Sequence, residues 1–190
     1  MKAPQSEASL QELSRFRLPL GFRGRSAVVV QLWWIVQATL FRASPQGLYG
    51  FRRGLLRLFG AQIGAKVLVR PTARITYPWR IKIGDHAWIG DYANLYSLAA
   101  IEIGANAVVS QHAYLCTGSH DYRSPSFDMV AEPIVVEDQA WVAAGAFVHP
   151  GLRVGRGAVV GAGSVLTTSA SPCGIYAGNP AKLIGRRVPK

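Results

Sequence analysis

Cysteine is scarce in this chain of 190 residues, which has only Cys116 and Cys173. Two isolated cysteines provide neither a disulfide framework nor the paired spacing of a zinc site, so they indicate a reducing compartment. The N-terminal stretch MKAPQSEASLQEL also lacks the basic and then apolar pattern of a secretory signal. We therefore expect a cytoplasmic protein.

Acidic residues are scarce as well, with 10 against 21 lysines and arginines and a formal net charge of +11. Such an imbalance indicates an anionic partner, which is nucleic acid, a membrane surface or a phosphorylated small molecule. No RNP-like aromatic run, Cys/His finger or basic zipper accompanies it, so we expect no nucleic-acid partner. A basic surface that only keeps the protein soluble is the alternative.

No apolar run is long enough to cross a bilayer, which takes about 20 residues of helix. The longest, AVVVQLWWIVQATLF at 27–41, is interrupted by Gln31 and Gln37 and has arginines on both sides. It predicts a helix within an N-terminal helical and basic segment over 1–60. Two interpretations stay open for this helix: packing on the main domain or a neighbouring subunit, and peripheral contact with the inner membrane.

A repeat of six residues dominates the rest of the chain. Ile–Gly pairs begin at Ile63, Ile83 and Ile103, and an aliphatic residue returns every six positions within each unit. After a break the period resumes, with aliphatic residues at Val136, Val142, Val148, Val154, Val160 and Leu166. A short strand and a tight turn use about six residues, so three such sides close a coil of about eighteen.

The period predicts a mostly β protein, a parallel β-helix over 61–171 with an extruded loop over 121–133 and a C-terminal tail over 172–190. The glycine or aspartate after each aliphatic residue is expected to serve the turn, through a positive φ or a side-chain bond to the backbone. Small residues four places after the aliphatic ones are expected to face inward as well. These are Val67, Ala87, Ala107, Ala140, Ala158 and Ser164. A β-sandwich would instead show period-two alternation.

The repeated aliphatic-Gly-x-x-small-x runs resemble the hexapeptide-repeat acyltransferases. Within that superfamily, the stretches QLWWIVQATLF, FRRGLLRLFGAQIG, CTGSHDY and AGNPAKLIGRR resemble the colanic-acid-biosynthesis type of O-acetyltransferase. The resemblance covers about Leu32 to Arg187. It implies left-handed coils, a homotrimer, and acetyl-CoA bound in clefts between parallel prisms. It also implies acetyl transfer to a hydroxyl of a sugar or lipid-linked sugar in exopolysaccharide biosynthesis.

Acetyl transfer from a thioester to a hydroxyl needs a base that takes the hydroxyl proton near neutral pH, and histidine suits this role. Three of the four histidines, His86, His112 and His149, fall at turn positions of the repeat. His120 instead lies where the repeat breaks, and the resemblance places the catalytic histidine there. A histidine that only anchors the loop is the alternative.

The groups around His120 are less determined by the sequence. Asp121, Glu132 and a backbone carbonyl are all candidates to orient its second ring nitrogen. Asn94 and Tyr96, in the preceding coil, are candidates to bind the acceptor together with Asp121. The loop residues expected to cover the acceptor are Tyr122, Phe127 and Met129.

The resemblance also assigns the contacts with acetyl-CoA. They are Trp141, Ala144, Ala162, Thr167 and Lys182, and Arg186 is expected to add positive charge for the CoA phosphates. The two alanines match positions whose backbone bonds the pantetheine arm, the tryptophan lies near the thioester, and the basic residues serve the phosphates. Thr167 and Thr168 match a Thr-Lys pair of related enzymes, and this chain lacks the lysine. A frayed basic tail is the alternative for Arg186.

Three functions therefore compete. The first is an O-acetyltransferase that uses acetyl-CoA and no metal to modify a sugar. The second is an acetyltransferase for serine or a small xenobiotic, although serine enzymes carry a larger N-terminal domain. The third is a non-catalytic or zinc-binding β-helix scaffold, but His86, His112 and His120 lack the zinc pattern of those proteins.

Overall fold

Two short helices precede the coils in the computed structural model, which describes residues 9–188. A turn of 3-10 helix at Leu13–Arg15 is followed by helix α1, which spans Ala27–Val36. One π-helical turn at Gln37–Phe41 extends α1, and helix α2 spans Tyr49–Leu58. The apolar run of the sequence is therefore helical along its whole length.

Three sheets form the sides of a coil, and the strands join each sheet in turn as the chain advances. Sheet A contains β1 (Gln62–Ile63), β4 (Ile81–Ile83), β7 (Ile101–Ile103), β12 (Ile134–Val136) and β15 (Arg153–Val154). Sheet B contains β2 (Leu68–Val69), β5 (Trp88–Ile89), β8 (Val108–Val109), β13 (Trp141–Val142), β16 (Val159–Val160), β18 (Gly174–Gly178) and β19 (Ala181–Arg186). Sheet C contains β3 (Arg74–Ile75), β6 (Asn94–Tyr96), β9 (Tyr114–Cys116), β14 (Phe147–Val148) and β17 (Val165–Leu166). All neighbours except β18 and β19 pair in parallel, which confirms the β-helix.

The aliphatic residue that opens each repeat points into the coil and stacks on its equivalent one coil away. The stack in sheet A consists of Ile63, Ile83, Ile103, Val136 and Val154, in register. All five are buried, and the small residues four places later are buried as predicted. Because each buried Ile or Val side chain contributes about 1.5–3 kcal/mol, these stacks are the main source of stability.

The glycine of the Ile–Gly pair serves a different purpose from the one expected. A Cβ at Gly84 would lie 2.6 Å from the Ala105 amide nitrogen, and one at Gly104 would lie 2.4 Å from that of Asp138. The coils approach too closely there for a side chain, and neither glycine has a positive φ. The positive φ falls two residues later in successive coils, at Lys66, His86, Asn106 and Gln139. The prediction that these glycines provide the positive φ is wrong.

The N-terminal helices cover the open edge of the first coil. Helix α1 packs there with Val30 and Trp33 fully buried, which supports the packed interpretation for that face. Trp33 Nε1 donates to the Ile75 carbonyl at 2.8 Å, and Gln37 Oε1 accepts from the Ile75 amide at 2.7 Å. Both hydrogen-bonding groups at the edge of sheet C are thereby satisfied. No helix among the described residues is long and apolar enough to cross a membrane.

Arginine side chains of α2 donate hydrogen bonds to carbonyl groups at the open edges of sheets A and B. Arg52 Nε donates to the Val69 carbonyl of sheet B at 2.6 Å, and Arg57 Nη2 donates to the Ile63 carbonyl of sheet A at 2.6 Å. Arg52 is fully buried and also bonds the Ser44 hydroxyl at 2.8 Å. Burial lowers the pKa of Arg52, and its hydrogen bonds offset the cost of removing the charge from water.

The C-terminal end is closed by a hairpin instead of a tail. Strands β18 and β19 pair antiparallel, and Gly174 lies opposite Arg186. Strand β18 adds to sheet B beside β16. The coil thus extends beyond 171, and the frayed-tail alternative for Arg186 is wrong because its backbone lies in this hairpin.

The segment extruded after sheet C is also a hairpin. Strands β10 (Gly118–His120) and β11 (Met129–Ala131) pair antiparallel, with His120 opposite Met129. The excursion therefore begins before the predicted boundary at 121, and His120 is the last residue of its first strand.

Replacing Arg52 with methionine is expected to destabilise the fold by about 2–4 kcal/mol, because it leaves the buried Val69 carbonyl without its donor. Urea denaturation followed by circular dichroism measures this change. Arg74→Met is the control, since Arg74 is an exposed arginine on the same coil, and it should shift the free energy of unfolding by less than about 0.5 kcal/mol. Equal effects of the two changes would contradict the edge-covering role of Arg52.

Candidate active site

The His120 side chain is held in one orientation by the hairpin that carries it. Its imidazole stacks on the Phe127 ring, with centroids 4.2 Å apart and planes inclined by 8°. Its Nδ1 lies 2.7 Å from the Phe127 carbonyl oxygen. A carbonyl oxygen only accepts hydrogen bonds, so Nδ1 carries the proton and Nε2 keeps its lone pair. The half-buried ring is therefore set to accept a proton at Nε2.

This contact chooses among the orienting groups that the sequence left open. The partner is the Phe127 backbone carbonyl, whereas the Asp121 carboxylate accepts from the Arg123 amide at 3.0 Å. The Glu132 amide donates to the Thr117 carbonyl and so joins the hairpin to its root.

A polar turn holds Phe127 in place. The Asp128 carboxylate accepts from the hydroxyls of Ser124 and Ser126, both at 2.8 Å, and these hydrogen bonds lower the pKa of Asp128. Phe127, which lies between Ser126 and Asp128 in the sequence, has a positive φ of 52°. Sequence reasoning missed Asp128, although the alternating Ser-x-Ser-x-Asp pattern is typical of a side-chain-bonded turn.

An N-terminal arm, formed by residues 12–16, crosses the hairpin close to His120. The Phe16 ring centroid lies 5.9 Å from that of His120, and the Glu12 amide donates to the Pro125 carbonyl at 2.7 Å. No pattern in the sequence could reveal this contact, because the arm lies far from the hairpin along the chain. Phe16 therefore joins the apolar surroundings of the imidazole.

The candidate acceptor residues Asn94 and Tyr96 lie on β6, one coil before the hairpin. Tyr96 is paired with Cys116, next to the hairpin root, and a Cβ at Gly118 would come within 3.1 Å of its ring. Burial raises the pKa of Tyr96. Tyr96 thus packs at the root of the hairpin, while Asp121 lies in its turn.

The candidate acetyl-CoA residues lie on the later coils. Trp141 is on the outer face of β13, and its indole donates to the Ser110 hydroxyl at 2.8 Å. Ala144 and Ala162 occupy the same corner of successive coils, where the Gly163 amide donates to the Ala144 carbonyl. The other candidates are exposed, and they are Thr167, Lys182 and Arg186.

A groove of about 920 Å³ runs along the outer face of sheet B. Its lining includes Trp88, Tyr92, His112, Trp141, Arg70 and Asp91, and it does not include His120. In one chain the histidine hairpin follows sheet C, whereas the groove and Trp141 lie on sheet B. The groove and the histidine hairpin are therefore built from different elements of the chain.

An ion pair between Arg70 and Asp91 also lines the groove. Asp91 accepts from Thr72 Oγ1 at 2.6 Å and from Arg70 Nε at 2.7 Å. Burial acts to raise the pKa of Asp91, but these two hydrogen bonds outweigh it, and the pKa lies below its ordinary value. The carboxylate is thus ionised at neutral pH.

The remaining histidines are distributed over the coil surface. His86 and His112 lie in corner turns, as the repeat predicts, and both have a positive φ. The His112 ring stacks on Tyr92. The His149 ring lies 5.2 Å from that of Phe147. Between residues 9 and 188, no three side chains of His, Cys, Asp or Glu form a group that could hold a metal ion.

Comparisons with known proteins agree with this architecture. The family described as "Hexapeptide repeat of succinyl-transferase" matches residues 133–168. A putative colanic acid biosynthesis acetyltransferase, WcaF of Escherichia coli, is 53% identical over 94% of this chain and 98% of its own. A maltose O-acetyltransferase of Clostridium difficile has a TM-score of 0.77 at 24% identity, over 86% of this chain and 90% of its own. A hexapeptide-repeat acetyltransferase of Vibrio cholerae, solved with acetyl-coenzyme A, has a TM-score of 0.76 at 24% identity, over 86% and 91%. The chain belongs to the hexapeptide-repeat acetyltransferases, in the colanic-acid-biosynthesis group.

Proposed function

We propose that this acetyltransferase moves the acetyl group of acetyl-CoA to a hydroxyl of a sugar during exopolysaccharide biosynthesis. The 53% identical relative is named for colanic acid biosynthesis, and a solved neighbour contains acetyl-coenzyme A. The observation that carries the chemistry is the Nδ1 contact of His120 with the Phe127 carbonyl at 2.7 Å. It leaves Nε2 available as a general base.

In this mechanism His120 Nε2 accepts the proton of the acceptor hydroxyl as the oxygen attacks the thioester carbonyl carbon. A tetrahedral intermediate forms and then collapses as the carbon–sulfur bond breaks. The sulfur of CoA leaves with the proton that the imidazolium returns, so the histidine ends in its starting state. The Phe127 carbonyl, which accepts from Nδ1 throughout, holds the ring and stabilises the imidazolium.

Acetyl-CoA is proposed to bind along the later coils. The small side chains of Ala144 and Ala162 let the pantetheine arm approach the backbone, and Trp141 borders the thioester. Thr167 is assigned to the nucleotide end, where Lys182 and Arg186 pair with phosphate charges. Asn94, Tyr96 and Asp121 are proposed to bind the acceptor sugar near the hairpin.

A homotrimer would complete the site. His120 and the groove of sheet B lie on different sides of one coil. In a ring of three protomers, the hairpin of one chain faces the groove and Trp141 of the next. The groove then provides one wall of the cleft and the hairpin provides the other.

The acceptor is proposed to be a lipid-linked sugar at the cytoplasmic face of the inner membrane. The chain is basic, with 21 basic against 10 acidic residues, which suits both the phosphates of CoA and an anionic lipid carrier. In this proposal the enzyme works in the cytoplasm, next to the membrane that holds its acceptor.

Replacing His120 with alanine is expected to lower kcat by about 10²–10⁴-fold, because the general base is lost. A free-thiol assay with acetyl-CoA and a panel of free and lipid-linked sugars, serine and chloramphenicol measures turnover and identifies the acceptor. His149→Ala is the control and should retain activity, since His149 is exposed, lies outside the hairpin and has its ring beside Phe147. Turnover that survives His120→Ala would overturn the assignment of the base.

Replacing Asp128 with alanine is expected to lower kcat about tenfold and to leave the KM for acetyl-CoA unchanged. The change removes the acceptor of two serine hydroxyls, so the turn no longer holds Phe127 against the imidazole. Steady-state kinetics with varied acetyl-CoA separates the two constants. A rise in KM with constant kcat would show that the turn serves binding and not the base.

Mixing two inactive variants tests the shared site. His120→Ala and Trp141→Ala protomers, unfolded together and refolded, should recover activity at about a quarter of the sites, since random mixing joins one intact surface from each chain at that frequency. Either variant refolded alone is the control. No recovery in mixed oligomers would place the complete site within one protomer.

A further inference from the structure

The N-terminal segment carries most of the exposed apolar surface. Among residues 9–188, twelve of the twenty exposed large apolar side chains lie between Leu10 and Leu58. Contiguous exposed apolar patches mark surfaces that bind a partner. None of these twelve side chains belongs to the site proposed above.

Helix α1 concentrates this surface in one stripe. Val28, Leu32 and Ile35 are 75%, 50% and 60% exposed, and their spacing of four and three residues places them on one helix face. We call these three residues the outer stripe. The opposite face is fully buried, because Trp33 lies in the main core and Val30 packs with Tyr77 and Leu98. A helix that is apolar on both faces is normally covered on both.

The charge around the outer stripe indicates what covers it. Residues 9–60 contain eight basic side chains and one acidic side chain, and of the basic ones Arg52 is fully buried. Arg25 and Arg42, at the two ends of the helical stretch, are both exposed. A surface that matches this pattern is apolar inside and anionic at its boundary, as a bilayer with anionic phospholipids is.

A second copy of the chain matches this surface less well. A symmetric contact between two stripes would set arginines against arginines. The rest of the chain is also net basic, with twelve basic and eight acidic residues over 61–190. Another face of a second copy therefore offers the arginines less negative charge than an anionic bilayer does.

We infer that the outer stripe docks on an anionic phospholipid bilayer, with α1 lying in the plane of the interface and Arg25 and Arg42 at the headgroups. The helix is too short and too firmly packed on the first coil to insert across the membrane. The inference deepens the proposed function, on which its purpose rests, because a lipid-linked sugar is presented at such a surface. Binding to lipid does not itself require catalysis.

Vesicle flotation tests the inference with the full chain. Wild-type protein should float with phosphatidylglycerol–phosphatidylethanolamine vesicles, bind phosphatidylcholine vesicles far less, and lose affinity when salt rises above about 0.15 M. Ile35→Asp should lower the partition coefficient about tenfold or more, because it places a charge in the apolar layer. Ile184→Asp is the matched control, since Ile184 is similarly exposed, at 67%, on β19 at the other end of the coil. It should bind as wild type does.

Several outcomes would overturn the inference. The first is that wild-type protein stays at the bottom of the gradient. The second is that Ile35→Asp and Ile184→Asp lower vesicle binding equally. The third is that Ile35→Asp changes the oligomeric mass in light scattering while wild-type protein does not bind vesicles. A second copy of the chain would then cover the outer stripe. Leu32→Ser serves as a milder variant if circular dichroism shows that Ile35→Asp does not fold, and it should lower partitioning in the same direction.

Turnover of a soluble sugar separates this inference from the proposed function. Ile35→Asp should keep wild-type kcat toward a free sugar that wild type acetylates, and lose rate only with acceptor embedded in vesicles. Vesicle binding without acetyl transfer to any sugar would overturn the proposed function and leave the docking surface standing. Acetyl transfer without vesicle binding would do the reverse.

Discussion

Every coil of this protein depends on the backbone of the next one for its hydrogen bonds, and that dependence creates two open ends. An unpaired sheet edge exposes amides and carbonyls that would recruit other chains. The chain closes the first edge with side chains, from the Trp33 indole on sheet C to the Arg52 and Arg57 guanidinium groups on the other two. It closes the edge of sheet B at the last coil with the β18–β19 hairpin. The regular middle is possible because the ends are irregular.

The sequence predicts the regular part well, because the six-residue period directly encodes which side chain points inward. The stack of Ile63, Ile83 and Ile103 follows from spacing alone. The role of Gly84 does not, since close approach to Ala105 involves a neighbouring coil that the local motif does not contain. The contact of the Phe127 carbonyl with His120 could not be predicted either, because a turn conformation, and not a residue type, brings the two together.

The proposed catalytic histidine lies where the repeat is interrupted. A strict six-residue period places every side chain either in the core or on a flat face, and neither position surrounds a reacting group. The hairpin breaks that rule, and it brings an imidazole close to the rings of Phe127 and Phe16. The neutral carbonyl at Nδ1 fixes the tautomer without adding a negative charge beside the base. A rigid scaffold and a shaped excursion thus divide stability and chemistry between them.

Regular stacking also fixes the distance between successive coils along the axis of the molecule. Neighbouring strands in a sheet lie about 4.8 Å apart, so each coil raises the chain by that amount along the axis. The His120 hairpin leaves after the third coil, about 10–15 Å from the end that α1 and α2 cover. Adding or deleting one coil between Ile63 and Cys116 would shift the height of the imidazole by one step while leaving both ends unchanged. The number of coils therefore sets how far the His120 imidazole lies from the helical end.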